Sequence, residues 1–252
     1  MSPDSRGPFH LAWSGTRVVG RFAPLTEAGF EAHVVTTRRG VDAAAMGWDK
    51  SHAAKVAAEL TGLAEIAYCE QVHGAEVLAV SAGGFAGEAD ALVTDTSGVG
   101  LMGFSADCPL VLAADAATGA VGMAHASWRG TVRGVSARMV NRMCELYASA
   151  AEDMVACVAP SAGPCCYEVG KDVFEAAERH MGESAHRYFL RRRGSLHFDL
   201  WGANLHWLTE AGLRKENIHI ASVCTICHND LFPSYRVEGD SAGRFVAVIG
   251  QT

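Results

Sequence analysis

Three short phrases place a metal-binding side chain at the end of an apolar run: CEQVHG with His73, FSADCP with Cys108 and AHASWRG with His125. Two imidazoles and a thiolate suit Zn²⁺, and with water as fourth ligand they would make an open, catalytic site. The stretches between them match no local metal pattern. Spacing alone therefore favours a plainer reading, in which His73 caps a strand end, Cys108 packs as a small hydrophobe and His125 hydrogen-bonds its turn. Arg129 and Gly130 precede a predicted helix, where backbone N–H groups and a guanidinium would seat a phosphate or carboxylate. A surface ion pair is the alternative for Arg129.

CTICH, ending at His228, also fits the attachment pattern of c-type haem, which requires export. The start MSPDSRGPFHLAW has neither the apolar core nor the cleavage site of a signal peptide. A thioredoxin-like pair would open a helix, but NDLFPSYR follows with little helical pattern. A reduced pair beside a pocket, or plain packing, is left, with His228 and Arg236 as possible pocket residues. Cys165 and Cys166 in PSAGPCCYEVG sit in a Pro/Gly turn and read as packing.

These groups must be positioned by a folded core, and the composition supplies one: 49% of residues are hydrophobic and 19% charged. The formal charge of -7 argues against a nucleic-acid partner, since phosphate binding wants a basic face. No apolar run approaches the roughly 20 residues of a membrane-spanning helix. A cytoplasmic chain is expected, its eight cysteines reduced. The runs TRVVGRF, EAHVVTT, EVLAV, ADALVTD, VGLMGFS, LVLAAD, AVGMAHA, NIHIASVC and RFVAVIG read as strands bounded by turn residues. Helices are expected over residues 50–61, ended by Gly62, from Thr131 through Tyr147, over KDVFEAAERHM, and over DLWGANLHWLTEAG with Asp199 as N-cap and Gly212 as terminator. The reading is α/β, a single domain over residues 1–252, with a mostly β core and helices outside.

QVHG, ADALVTD, FSADCPLVLAAD, GAVGMAHASWRGTVRGV, PSAGPCCYEVG, DLWGANLHWL, CTICHNDLFPSYR and AGRF occur in that order over roughly residues 66–249. Together they resemble the laccase-domain family, of YfiH or YlmD type, also called polyphenol oxidase or peptidoglycan editing factor. The resemblance implies a four-layer α/β/β/α fold, shared with the cytotoxic necrotizing factor catalytic domain. It implies phosphorolysis of adenosine, inosine, guanosine or methylthioadenosine, deamination of adenosine, and a zinc ion on His73, Cys108 and His125. On that basis His73, Cys108, His125 and Asp107 are the expected catalytic residues, with Asp107 or a histidine giving a proton to the leaving base. Gln71, Ser105, Arg129, His228 and Arg236 are the expected substrate-binding residues, Arg129 and Arg236 for phosphate. The partners are then a purine nucleoside and phosphate, and the chain a monomer or weak homo-oligomer.

Two departures stand out. Ser127 replaces the glycine of the family phrase HAGWRG, which would strain a turn needing positive φ. TTRRGVDAAAMG only partly matches the family's Thr-Arg-x-Gly-Gly-Val-Ser stretch, which puts Arg38 in question as a pocket residue. Three rivals follow: a metal-free Cys108–His125 amidase acting on a cell-wall precursor, a copper phenol oxidase, and a nucleoside-sensing module. Copper is placed behind zinc because the chain has no His-x-His pair.

Overall fold

Short runs of Val, Leu, Ala and Gly between turn residues fold as strands, and their alternation decides what each face covers. The computed structural model describes residues 7–39, 49–192 and 194–252; the atypical VDAAAMG stretch lies outside them. In chain order the first strands are β1 (Phe9–Ser14), β2 (Arg17–Phe22), β3 (His33–Thr36), β4 (Glu65–Glu70), β5 (Val77–Ala79), β6 (Gly84–Glu88), β7 (Ala91–Thr94) and β8 (Val99–Ser105). They are followed by β9 (Leu110–Ala114), β10 (Val121–His125), β11 (Val155–Val158), β12 (Phe189–Arg192), β13 (Ser195–Phe198), β14 (Ile218–Ile220) and β15 (Phe245–Gly250). The helices are α1 (Ala23–Glu27), α2 (Lys50–Thr61), α3 (Trp128–Val132), α4 (Val135–Tyr147), α5 (Lys171–Met181), α6 (Leu200–Glu210) and α7 (Tyr235–Glu238).

One sheet has seven strands in the order β1-β2-β3-β15-β8-β4-β6, and a second has six in the order β14-β11-β9-β10-β7-β5. Both are mixed: β4 runs parallel to β6 and β8, and β11 parallel to β14, among otherwise largely antiparallel pairs. Leu101 of β8, Leu110 and Leu112 of β9, Met123 of β10 and Phe245 of β15 fill the space between the sheets. Alternate residues face outward. Met102 and Val248 meet Val56 and Leu60 of α2, while Val111 and Ala124 meet Met139 and Met143 of α4. This is the expected α/β/β/α layering.

The sheets approach closely where side chains are missing. A Cβ on Gly103 would lie 2.5 Å from the Met123 sulfur.

The expected α2 and α5 coincide with the observed helices, and Asp199 caps α6 through Gly202 N–H at 3.0 Å. The apolar stripe from Thr131 does not form one helix. The chain breaks at Gly134 (φ 72°) into α3 and α4, because positive φ stops a right-handed helix. No helix among the described residues is long and apolar enough to cross a membrane.

Candidate metal centre and active-site cavity

Two crossovers between the sheets, β4 to β5 and β8 to β9, leave at one end of the sandwich, and β10 ends beside them. The first crossover carries His73, the second carries Asp107 and Cys108, and His125 is the last residue of β10. The ligand atoms of His73, Cys108 and His125 all lie within 4.8 Å of one another. The two imidazoles meet edge-on, with ring centroids 5.0 Å apart. One ion can therefore be shared by all three.

Asp90, just ahead of β7 and fully buried, holds this arrangement. Its Oδ1 accepts from His125 Nδ1 at 2.8 Å and from His73 N–H at 3.0 Å, and its Oδ2 accepts from Gly74 N–H at 2.6 Å. The first contact fixes the imidazole tautomer and leaves Nε2 for a metal, an outer-shell carboxylate arrangement. The other two hold His73 in a left-handed conformation (φ 58°), which a non-glycine residue keeps only when its surroundings fix it. Asp90 lies within the phrase ADALVTD, where little in the sequence marks it out. An acid one residue ahead of an apolar strand was its only signal.

Electrostatics tie Cys108, His125 and Asp90 into one ionic group. Burial pushes the Cys108 thiol up, but the His125 and His73 imidazoles outweigh it and hold the thiol at about 6. Burial lowers the His125 pKa, and the adjacent Cys108 sulfur and the Asp90 carboxylate raise it to about 9. Burial works against the Asp90 carboxylate too, yet the His125 hydrogen bond and charge keep it below its usual range. Without an ion, Cys108 and His125 therefore form a thiolate–imidazolium pair at neutral pH, and a metal binding there would displace the imidazolium proton from Nε2.

The cluster forms part of the lining of a cavity of about 420 Å³, also lined by Lys50, Glu70, Phe104, Tyr167, Arg236 and Arg244. Its volume is in the range of small-molecule sites. Gln71 and Ser105 line it as well, with their polar atoms engaged. Gln71 exchanges both amide contacts with the Phe104 backbone (2.8 and 2.7 Å), and the Ser105 hydroxyl donates to the Cys108 carbonyl at 2.6 Å. Asp107, also at positive φ (89°), accepts from Thr225 Oγ1 at 2.6 Å, Ser234 Oγ at 3.0 Å and Arg236 N–H at 2.7 Å.

Arg236 stacks on Tyr167 at 4.5 Å and lies where this cavity meets a second, more open one of about 600 Å³. Arg129 lines only the second, stacked on Trp128 at 4.4 Å. His228 lines neither. Arg38 is held against Glu238 and the Asn229 carbonyl, away from both cavities.

Ser127 adopts φ -52°, and its hydroxyl caps α3 by accepting from Gly130 N–H at 3.1 Å. The position needs no glycine. Gly130 does: a Cβ there would lie 2.8 Å from the Gly74 carbonyl, in the loop that carries His73.

The family model described as "Multi-copper polyphenol oxidoreductase laccase" matches residues 42–252. The chain belongs to this family. It is 41% identical over 201 residues to a purine nucleoside phosphorylase of Deinococcus radiodurans, covering 78% of this chain and 75% of that protein. It is 36% identical over 162 residues to a purine nucleoside phosphorylase of Bacteroides thetaiotaomicron, 64% of this chain and 60% of that one. The crystal structure of YlmD from Geobacillus stearothermophilus superposes with a TM-score of 0.81 at 27% identity, covering 96% of this chain and 98% of that chain. With the His73–Cys108–His125 cluster, family membership makes the chain a metal-binding enzyme acting on a small molecule.

The family description corrects the expectation of zinc, because the metal it names is copper. The donor set allows this, since two imidazoles and a thiolate are also the core of a copper site. The missing His-x-His pair carries no weight against copper here: the donors come from three separate segments, which spatial convergence brings together.

Proposed function

We propose that the cavity binds a purine nucleoside over the His73–Cys108–His125 cluster and cleaves it with phosphate. The observation that carries the reading is the cluster set in the wall of a cavity that Arg236, Arg244 and Lys50 also line. The names of the Deinococcus and Bacteroides relatives support the same reading. A metal held by the three residues would supply Lewis acidity towards an atom of the substrate.

The chain's own residues account for the rest. Arg236, braced by Tyr167 and by a 2.6 Å hydrogen bond to the Glu168 carbonyl, places a cation where phosphate can enter from the second cavity. Arg129 extends that entrance. Asp107 is spent on three donors, so we assign it the positioning of Arg236 rather than proton transfer. Burial keeps the Tyr167 hydroxyl protonated, its pKa raised to about 12, and available to donate to a substrate oxygen.

Product analysis with adenosine tests this reading. Adenine and ribose 1-phosphate, formed only when phosphate is present, are expected; inosine would indicate deamination instead. A second reading, copper-dependent oxidation of phenols, is favoured by the family description. Oxygen uptake with a phenol, in a preparation that leaves adenosine intact, would establish it in place of the first.

A further inference from the structure

Four cysteines outside the cavity converge from two loops. Cys165 and Cys166 lie in the turn that follows β11, and Cys224 and Cys227 in the turn that precedes α7. All four are free thiols. Cys227 Sγ is 3.3 Å from Cys166 Sγ and 3.8 Å from Cys165 Sγ, and the four sulfurs lie within 4.8 Å of one another. A tetrahedral ion with metal–sulfur bonds of about 2.3 Å holds its sulfurs about 3.8 Å apart.

The scaffold around them is built for close approach. Ser161 N–H donates to the Val223 carbonyl at 3.1 Å and Thr225 N–H to the Ser161 carbonyl at 3.0 Å, so the loops are joined as a short parallel bridge. A Cβ on Gly163 would come within 2.8 Å of Trp201 and 3.1 Å of Cys224 Cβ, so glycine is required for the loops to meet. Gly163 N–H donates to Cys224 Sγ at 3.3 Å. An N–H donor at the first sulfur of a C-x-x-C turn stabilises negative charge there, which a ligating thiolate needs. Cys224 is buried at the base of the group, while Cys165 and Cys227 are exposed and leave a route for an ion to enter.

We propose that Cys165, Cys166, Cys224 and Cys227 form a second, closed metal site that takes a soft ion in tetrahedral coordination. Four sulfurs without nitrogen or oxygen select ions of that class, and each ligating thiol releases its proton to solvent on binding. The site would clamp two loops that shape the cavity. Tyr167, next to Cys166, lines the cavity, and Thr225, next to Cys224, holds Asp107 at 2.6 Å. Its role is structural and does not depend on which substrate the cavity takes.

Cadmium is a suitable probe on the full chain, stripped of metal and reduced. Alkylation followed by mass spectrometry should find Cys165, Cys166 and Cys227 protected together once Cd²⁺ is added. The double variant C165S/C227S should bind one Cd²⁺ fewer per chain than the parent, while still binding at His73, Cys108 and His125. Unchanged alkylation of these thiols in the wild-type chain with Cd²⁺ would overturn the proposal, whatever the folding of the variant. So would a Cys166–Cys227 disulfide in the chain as isolated.

Discussion

Asp90 is the residue on which the metal centre depends most, although it holds no ligand position itself. One buried carboxylate fixes the His125 tautomer and the backbone of His73 and Gly74. Outer-shell partners of this kind contribute about 10–100-fold in metal affinity. D90N should therefore weaken binding by about that factor in a metal titration; unchanged affinity would show that the ligands hold their places unaided. Ser127, by contrast, serves the helix and not the cavity. S127A removes the cap on α3 and should cost about 1 kcal/mol in denaturant unfolding while turnover stays close to the parent's. Strand ends singled out His73, Cys108 and His125, but their spacing favoured plain packing and only the family resemblance joined them as ligands. Asp90 was not singled out, because its value comes from reaching two segments distant in sequence. His228 sits in a promising phrase yet lines neither cavity, because side-chain direction follows from turns that a phrase does not encode.

At the scale of elements, α3 presses against the His73 loop with no room for a side chain between them. G130A should force α3 away from Gly74. Overpacking of this kind costs about 1–3 kcal/mol, and it should also lower metal affinity, which separates it from the S127A effect. The break at Gly134 escaped the periodicity because Val132, Val135 and Met139 keep helical spacing across it, and only backbone conformation reveals the turn. On the other sheet, His33 links β2 and β3 as a neutral imidazole, Nδ1–H donating to the Phe30 carbonyl (2.6 Å) and Nε2 accepting from Phe22 N–H (2.8 Å). Burial lowers its pKa from 6.5 to about 4. The unfolded chain therefore takes up the proton first as pH falls. The stability His33 provides is complete above about pH 6.5 and is lost down to about pH 4, at no more than ~1.4 kcal/mol per unit. Unfolding midpoints measured across that window should fall more steeply in the parent than in H33N.

At the scale of the whole molecule, two sheets facing each other bring together residues that lie far apart in the chain. Strands β8, β9 and β10 were legible as apolar runs with sharp ends, and with α2 and α5 they read as a β core with helices outside, while the four layers followed from the family resemblance. The pairing of strands across the sheets was not legible, since neither the β4–β5 nor the β8–β9 crossover leaves a mark in composition. For the same reason Cys165 and Cys166 read as packing, and Cys224 and Cys227 as packing or a reduced pair beside a pocket: only the fold shows that the two pairs meet.

The His73–Cys108–His125 cluster is proposed to work through a bound metal. The most direct measurement strips the enzyme with a chelator, returns copper in steps, and follows adenosine cleavage in phosphate against metal bound, beside H125A as control. Activity should vanish on stripping, return in proportion to ion bound at the cluster, and stay absent in H125A. Full cleavage by the stripped enzyme would contradict the proposal.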